Sequence, residues 1–359
     1  ISTCYLIHTN TLCHRETMKV VQPIAPFLSW CSSQGIQSPL DVKARENGSR
    51  YVVLKDQVET IDGKVNLVRC PDKATIAASS IPELADRLLF EKNLGEKSEF
   101  APYIAVLPEE CVGMPRFWDF AKLNEVADGG ALLQAVKEDQ ARVSDFKDPW
   151  ALSIADSRAN FLPDQSYSLT PLLDMINHDS SVKTSAEIVN NELFLNVAAE
   201  SIPQQSGIFN MFQPQPELFI SYGDFTNLQT LIQYGFCADE NPFNAESFKI
   251  SVLGQGSITA TVFNNGIIDP IAMSTLRQTL ATTDELEDVS EGSLMVPFLS
   301  TRNEMEVYAL VAGYLEEAIY ESKIGSVTDD AIVASYLKGR VASLQAGSDM
   351  IRKKYPDLF

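Results

Sequence analysis

Residues 169–180 read LTPLLDMINHDS, an apolar run that gives way to Asp174, Asn177, His178 and Asp179. A plain buried element has no need of that polarity, because a polar side chain without partners is costly to bury. Asp174 and His178 stand four apart and could work as an acid/base pair, while Asn177-His178-Asp179-Ser180 suits a polar turn equally well. Outward from this stretch, three others concentrate residues that a core does not require: PWALSIADSRANF at 149–161, ELFISYGD at 217–224 and TNLQTLIQYGF at 226–236. Arg158 is an isolated cation among largely apolar neighbours, fit for a structural ion pair or for anchoring an anion. Tyr222-Gly223 and Tyr234-Gly235, taken one at a time, read as aromatics at strand ends.

The 359 residues carry 28 Lys+Arg against 48 Asp+Glu, a net charge of −20. Such a chain repels a polyanion, and no Lys/Arg cluster offsets the repulsion, so neither nucleic acid nor an anionic membrane is an expected partner. A basic protein surface is electrostatically favoured instead, and the same acidity also serves solubility. With 45% hydrophobic and 9% aromatic residues the chain can fill ordinary cores over two or three domains. No apolar run approaches the roughly 20 residues that span a bilayer, so a soluble intracellular protein is expected, in cytoplasm, nucleus or plastid stroma alike. The first residue is Ile1, which leaves open what preceded it. Cys4, Cys13, Cys31, Cys70, Cys111 and Cys237 form no CxxC pair, and the three histidines are His8, His14 and His178. That set lacks the short spacings of a structural zinc site and fits reduced thiols, so no metal is expected.

Along the chain, Val20, Val21, Ile24, Phe27, Leu28 and Cys31 recur at helical spacing over residues 16–35, with Gly35 as the stop and Pro23 and Pro26 disturbing the first half. From Leu40 to Ala78 short strands alternate with turn residues, as VKARE, YVVLKDQV and VNLVR separated by Asn47-Gly48 and Asp62-Gly63. From Pro82 helical patterns take over: PELADRLLFEKNL buries Leu84, Leu88 and Leu89, and ALLQAVKEDQARV aligns Leu132, Leu133, Val136 and Val143, with a loop-like SEFAPYIAVLPEE between them. Strand texture returns in EIVNNELFLNV, whose Asn190-Asn191 suits a tight hairpin, and in ELFISYG. Beyond residue 244 a mixed segment and the acidic TDELEDVSEG lead to two long helices. One buries Val307, Leu310, Val311, Tyr314, Leu315, Ala318 and Ile319, and the other runs from about Asp329 to Tyr355 behind Thr328 as cap. The expected class is α+β: a β-rich domain over 1–80 and 161–243 with a helical insertion at 81–160, then an all-α domain at 244–359.

Taken together, the order W-x(7)-R-x-x-F, PLLDMINH, ELFISYG and N-L-x-x-L-x-x-YGF followed by Asn241-Pro242 resembles the SET-domain methyltransferases. It is similar, more narrowly, to the branch typified by the Rubisco large-subunit lysine methyltransferase. LLFEKNLGEKSEFAPYIAVLP resembles the helical insertion of that branch, and NEMEVYALVAGYLEEAI the start of its substrate-binding C-terminal domain. The resemblance implies S-adenosylmethionine as cofactor and a lysine of a non-histone protein as acceptor; the net charge of −20 adds the expectation that this lysine lies in a basic patch, and a monomer is expected. An in-line methyl transfer requires cofactor and amine to be held end to end. By the same resemblance Asn177 and His178 lie on the threaded segment of the SET pseudoknot and grip the cofactor, largely through backbone groups. Arg158 meets the cofactor carboxylate and also lies on the substrate side. Tyr222 is the catalytic tyrosine, Asp174 is a substrate-side residue, and Tyr234 and Phe236 form the aromatic wall that meets cofactor and amine.

Two features depart from the family pattern. Where the family has a G-R-G-L turn against the cofactor, this chain has Gly48-Ser49-Arg50-Tyr51-Val52; Gly48 and Arg50 keep a cofactor role, while Ser49 and Tyr51 add a Cβ at positions that glycine usually occupies. Asn160 stands on the substrate side where lysine-directed members tend to have a bulky ring, which raises histidine as an alternative acceptor. The altered turn motivates another alternative, a SET-like interaction module without catalysis. A hydrolase using Asp174 and His178 has no nucleophile signature behind it.

Overall fold

The computed structural model describes residues 24–45, 49–55, 58–111, 113–125, 131–203, 215–287, 289, 295–325, 328 and 330–358. Gly48, and the part of the first helical pattern before Ile24, lie outside the described residues. The chain divides into two compact units, Ile1–Glu109 with Ile154–Ser221, and Glu110–Ser153 with Tyr222–Phe359.

The first unit opens with helix α1 (Ile24–Ser33), in which Pro26 falls within the first turn, where its missing N–H costs nothing. Strands β1 (Leu40–Ala44) and β2 (Arg50–Leu54) pair antiparallel from Leu40 opposite Leu54 to Ala44 opposite Arg50. Next come β3 (Lys64–Pro71), β4 (Ile76–Ala78), α2 (Ile81–Leu94) and the single-turn α3 (Ala101–Ile104), the last inside the stretch that reads as loop. Ser80 caps α2, Pro82 sits in its first turn, and Leu84 and Leu88 face inward with no exposure. Beyond Ile154 follow β5 (Ala159–Phe161), β6 (Tyr167–Leu169), β7 (Asn177–His178), β8 (Thr184–Val189), β9 (Glu192–Ala198) and β10 (Phe219–Ile220).

Besides the β1-β2 pair, three sheets organise these strands, ordered β3-β9-β8, β4-β6-β5 and β10-β7. Asn190 and Asn191 join β8 to β9 with φ of 52° and 62°, the left-handed turn that asparagine tolerates and right-twisted hairpins favour. A register shift between Asn66 and Val68 frees the Asn66 amide to donate to the Leu195 carbonyl at 3.1 Å. The β7–β10 pair is parallel, Asn177 opposite Phe219 and His178 opposite Ile220, so PLLDMINH and ELFISYG meet as neighbouring strands. Cys31 and Cys70 are buried in this unit, and burial pushes both thiols up to about 12, which keeps them protonated and inert.

The second unit holds α4 (Phe120–Glu125), α5 (Ala131–Ser144), the beginning of α6 (Pro149–Arg158), α7 (Asn227–Tyr234), strands β11 (Ala245–Val252) and β12 (Gly256–Phe263), and helices α8 (Pro270–Thr279), α9 (Thr283–Leu286), α10 (Thr301–Gly325) and α11 (Ala331–Lys354). The segment that reads as mixed is thus an antiparallel hairpin, which qualifies the all-α expectation for 244–359. Its inward residues Phe248, Ile250, Ala260 and Val262 share one core with Met273 and Leu276 of α8, Val311 and Leu315 of α10 and Leu344 of α11. A Cβ at Gly347 would stand 2.7 Å from the Val262 side chain, so glycine lets α11 approach β12. A second core joins Leu132 and Val136 of α5, Leu231 of α7, and Val333, Tyr336 and Leu337 of α11. Within the acidic run, Glu285 is not held out for a partner: Arg302 and Ser300 bind it and hold its carboxyl down to about 2.

The cap of α11 is Asp330, which accepts from the Ile332 and Val333 N–H groups at 2.9 Å; the Thr328 hydroxyl accepts from Asp330 N–H at 3.2 Å, just upstream. Asp330 also pairs with Lys122 at 2.7 Å. Burial pushes this carboxyl up, but Lys122 and the two N–H groups outweigh it and hold the group below its ordinary value. Asp330→Ala is expected to cost about 1–2 kcal/mol. Because the folded-state value is depressed, the contribution is present above the unfolded value near 3.9 and lost as pH falls. Urea denaturation of both proteins across pH checks this: the gap between them should hold at neutral pH and close in acid.

Candidate active site

In the first unit the site is built around Arg158, the last residue of α6, where the chain passes directly into β5. Its Nη1 donates to the Asp174 carbonyl at 2.9 Å and contacts Asp174 Oδ2 at 3.4 Å. Asp174 sits on the short turn Leu173–Met175, entered through Leu172 at φ 73°, a conformation rare for a branched residue. Its side chain has no exposed surface, and the Tyr103 hydroxyl donates to the same Oδ2 at 2.8 Å. Burial pushes the Asp174 carboxyl up, and Arg158 and Tyr103 pull against that rise. The Asp174 side chain therefore faces the inside of the unit.

Arg50, the first residue of β2, donates through Nη1 to the Val106 carbonyl. Burial lowers its affinity for its proton, and the neighbouring Arg158 cation lowers it further. The two guanidinium groups thus stand close enough to repel, and Arg158 is also in contact with the Asp174 carboxyl. Tyr51, at a position where the altered turn departs from glycine, stands in regular strand opposite Lys43, and its ring lies 4.6 Å beneath the Arg45 guanidinium.

Asn177 donates through Nδ2 to Glu217 Oε1 at 2.6 Å, and Glu217 pairs in turn with Arg45. That bond orients the amide of the NH motif and leaves the β7 backbone to the β10 pairing. His178 is half-buried; burial lowers its pKa while Asp179 and the Ile220 backbone oppose the shift, so the ring is neutral at neutral pH. The Ser221 N–H donates to Thr184 Oγ1 at 2.8 Å, which fixes the end of β10 just before Tyr222. Asn160 lies in β5 opposite Ser168, and its amide reaches the Arg158 and Ser168 carbonyls, each at 3.5 Å.

In the second unit four rings gather. Tyr222 lies 5.0 Å from Tyr234 with planes at 48°, and Tyr234 lies 6.0 Å from Phe225 and 5.9 Å from Phe236. Helix α7 sets them: Thr226 and Gln229 form a capping box at its start, and Gly235 ends it at φ 79°. A Cβ at Gly235 would stand 3.1 Å from the Gly113 carbonyl, so both conformation and space call for glycine there. Asn227 and Asn241 tie the outgoing chain back to α7, the Asn241 amide donating to Asn227 Oδ1 at 3.0 Å and to the Phe225 carbonyl at 2.8 Å. Such a ring cluster offers apolar walls and electron-rich faces to a cation.

Arg50, Arg158, Asp174, Asn177 and His178 thus fall in the first unit, and Tyr222, Tyr234 and Phe236 in the second. The sequence reading missed Tyr103, Glu217 and Phe225. Tyr103 sits in a stretch without periodicity, Glu217 looks like a routine exposed acid, and Phe225 is masked by the tyrosines around it. Among the described residues no group of three His, Cys, Asp or Glu side chains gathers as a metal site.

Solved structures with the same architecture decide the fold. The SET domain of LSMT bound to lysine and AdoHcy superposes with a TM-score of 0.69 at 19% identity, covering 93% of this chain and 92% of that one. Rubisco LSMT bound to AdoMet gives 0.69 at 18% identity with the same coverage. The chain has an LSMT-like SET fold. No family model matches the chain. Among curated relatives, N-lysine methyltransferase setd6 of Xenopus laevis is 24% identical over 271 residues, 62% of this chain and 59% of that protein. SET domain-containing protein 4 of Artemia parthenogenetica is 29% identical over 196 residues, 46% of each chain. The chain therefore spans about half the length of the curated relatives it matches.

Proposed function

We propose that the protein is an S-adenosylmethionine-dependent protein N-methyltransferase acting on a lysine of a non-histone protein. The observation that carries the reading is the Arg158 guanidinium, set at the junction of α6 and β5 on the Asp174 carbonyl and carboxyl, with the Arg50 cation near enough to repel it. Neighbouring guanidinium groups suit the amino-acid carboxylate of the cofactor. Support also comes from the relatives, since one is an N-lysine methyltransferase and LSMT is solved with lysine and with AdoMet.

The cofactor, when bound, supplies a sulfonium methyl group that passes to an amine nitrogen as its bond to sulfur breaks. Arg158 and Arg50 would anchor its carboxylate, and Asn177 and His178 its remaining polar groups. Gly48 would contribute its backbone to the same task. A neutral His178 serves this role through hydrogen bonding and is not required as a base. Tyr234 and Phe236 would strip water from the incoming lysine, which lowers its pKa from about 10.4 toward the neutral, attacking form. Their faces also accommodate the cationic product, and the Tyr222 hydroxyl would orient the methyl and the amine. In this reading 81–160 is the insertion of the SET domain, 244–359 recruits a basic surface of the substrate, and the enzyme acts as a monomer.

Calorimetric titration with S-adenosylmethionine, followed by transfer of labelled methyl to proteins of a cell extract and mass spectrometry of labelled residues, tests the function. Binding with label on lysine is expected. Label on histidine would move the acceptor class, and a folded protein that binds no cofactor would leave the interaction module.

A further inference from the structure

Tyr103 is a buried residue of the first unit whose hydroxyl the proposed mechanism leaves unused. Its ring has no exposure and is held from one side by α1, with its centroid 6.2 Å from Phe27 and 6.4 Å from Trp30, the latter nearly coplanar at 10°. Trp30 is itself fixed by donating Nε1–H to the Glu99 carbonyl at 2.9 Å. The phenol therefore has little freedom, and its hydroxyl points at Asp174 Oδ2 at 2.8 Å. Burial and the Asp174 charge push the phenol well above its ordinary value, so it stays a donor throughout the working pH range. Arg158 bonds the Asp174 carbonyl at 2.9 Å and contacts the same Oδ2 at 3.4 Å, while Oδ1 is buried with no hydrogen-bond partner among the described residues. Among the described residues the side-chain support of this carboxyl thus converges on one oxygen, from one neutral donor and one cation.

We propose that Tyr103 is a positioning residue of the cofactor site: by fixing and charging Asp174 it holds the Arg158 guanidinium at the angle that receives the cofactor carboxylate. A desolvated carboxylate with only Arg158 beside it is prone to take up a proton, and a protonated Asp174 no longer draws the guanidinium by charge. Arg158 carries several rotatable bonds, and once released it occupies orientations that miss the ligand. The effect is confined to whatever Arg158 touches, which separates a positioning role from general support of the fold. The proposal rests on the reading of the first unit as the cofactor site.

The test compares two ligands on the full chain by calorimetric titration: S-adenosylhomocysteine, which has the amino-acid carboxylate, and 5′-methylthioadenosine, which lacks it. Tyr103→Phe is expected to weaken S-adenosylhomocysteine about tenfold, the loss of one hydrogen bond to a charged group, and to leave methylthioadenosine unchanged. Arg158→Gln should show the same selectivity with a larger loss, and adding Tyr103→Phe to it should cost nothing more, since both act on one contact. Asp174→Asn, which keeps volume and removes charge, should reproduce the selective loss and stands in if Tyr103→Phe does not fold. Equal weakening of both ligands, no weakening of either, or additive losses in the double variant would overturn the positioning role. A wild-type protein that binds neither ligand overturns the cofactor reading itself, and this proposal falls with it.

Discussion

Arg340→Met is expected to destabilise the second unit by about 3–5 kcal/mol, enough to unfold a typical domain in part. Arg340 and Glu246 are exposed by only 5% and 1%, and they pair at 2.8 Å between α11 and β11. Tyr336 donates to the same Glu246 oxygen at 3.3 Å, Arg340 Nε donates to Ser322 Oγ at 3.1 Å, and the Asn244 amide adds to the support of the carboxyl. Removing the guanidinium leaves a buried carboxylate with no other cation against it among the described residues. Burial already raises the Glu246 pKa, with Arg340 and Tyr336 pulling it back, so the variant raises it further. A folded-state value above the unfolded one means stability that is present at low pH and lost as pH rises. The deficit of the variant should therefore grow from acid toward neutral pH, as the Asp330→Ala gap does, although the folded-state carboxyl value is raised here and lowered there. Urea midpoints at matched m-values measure it. The double variant Glu246→Gln/Arg340→Met should recover most of the loss, because it removes the stranded charge as well. A single variant within about 1 kcal/mol of wild type would show that water reaches Glu246.

Tyr222→Phe is expected to lower methyl transfer by about 10²–10³-fold, the scale seen when one preorganised donor is removed from a reacting centre. The ring contact with Tyr234 at 5.0 Å does not involve the hydroxyl, so the aromatic cluster and the fold should survive the change. S-Adenosylmethionine affinity, which the proposal assigns to Arg50, Arg158, Asn177 and His178, should stay within about threefold of wild type. Turnover under saturating cofactor, measured beside calorimetric binding, separates the two effects. Equal losses in binding and turnover would place Tyr222 among the cofactor-holding residues.

Much of the fold was legible because it rests on local periodicity. The alternation in VNLVR and ELFLNV, the Asn190-Asn191 turn and the inward stripe of α10 from Val307 to Ile319 each follow from neighbours in sequence. The β11–β12 hairpin was harder, because its outer face of Ser247, Lys249, Ser251, Ser257 and Thr259 is polar and short side chains blur the strand signal. The cap of α11 slid from Thr328 to Asp330 because either residue can accept from nearby N–H groups, and the ion pair with Lys122 favours the aspartate.

By itself the sequence determined which segments concentrate polar and aromatic residues that a core does not need: INHDS, SYG and YGF are set by residue type and spacing within a few positions. Only the tertiary structure decided what those residues touch. Tyr103 meets Asp174 across 71 positions, Asn177 meets Glu217 across 40, and Arg340 meets Glu246 across 94. A buried charge must be answered by whichever donor the fold brings within about 3 Å, and no local pattern encodes that distance. For this reason Asp174 could be singled out from the sequence, but its burial beneath Tyr103 and Arg158 emerged only once the chain was folded.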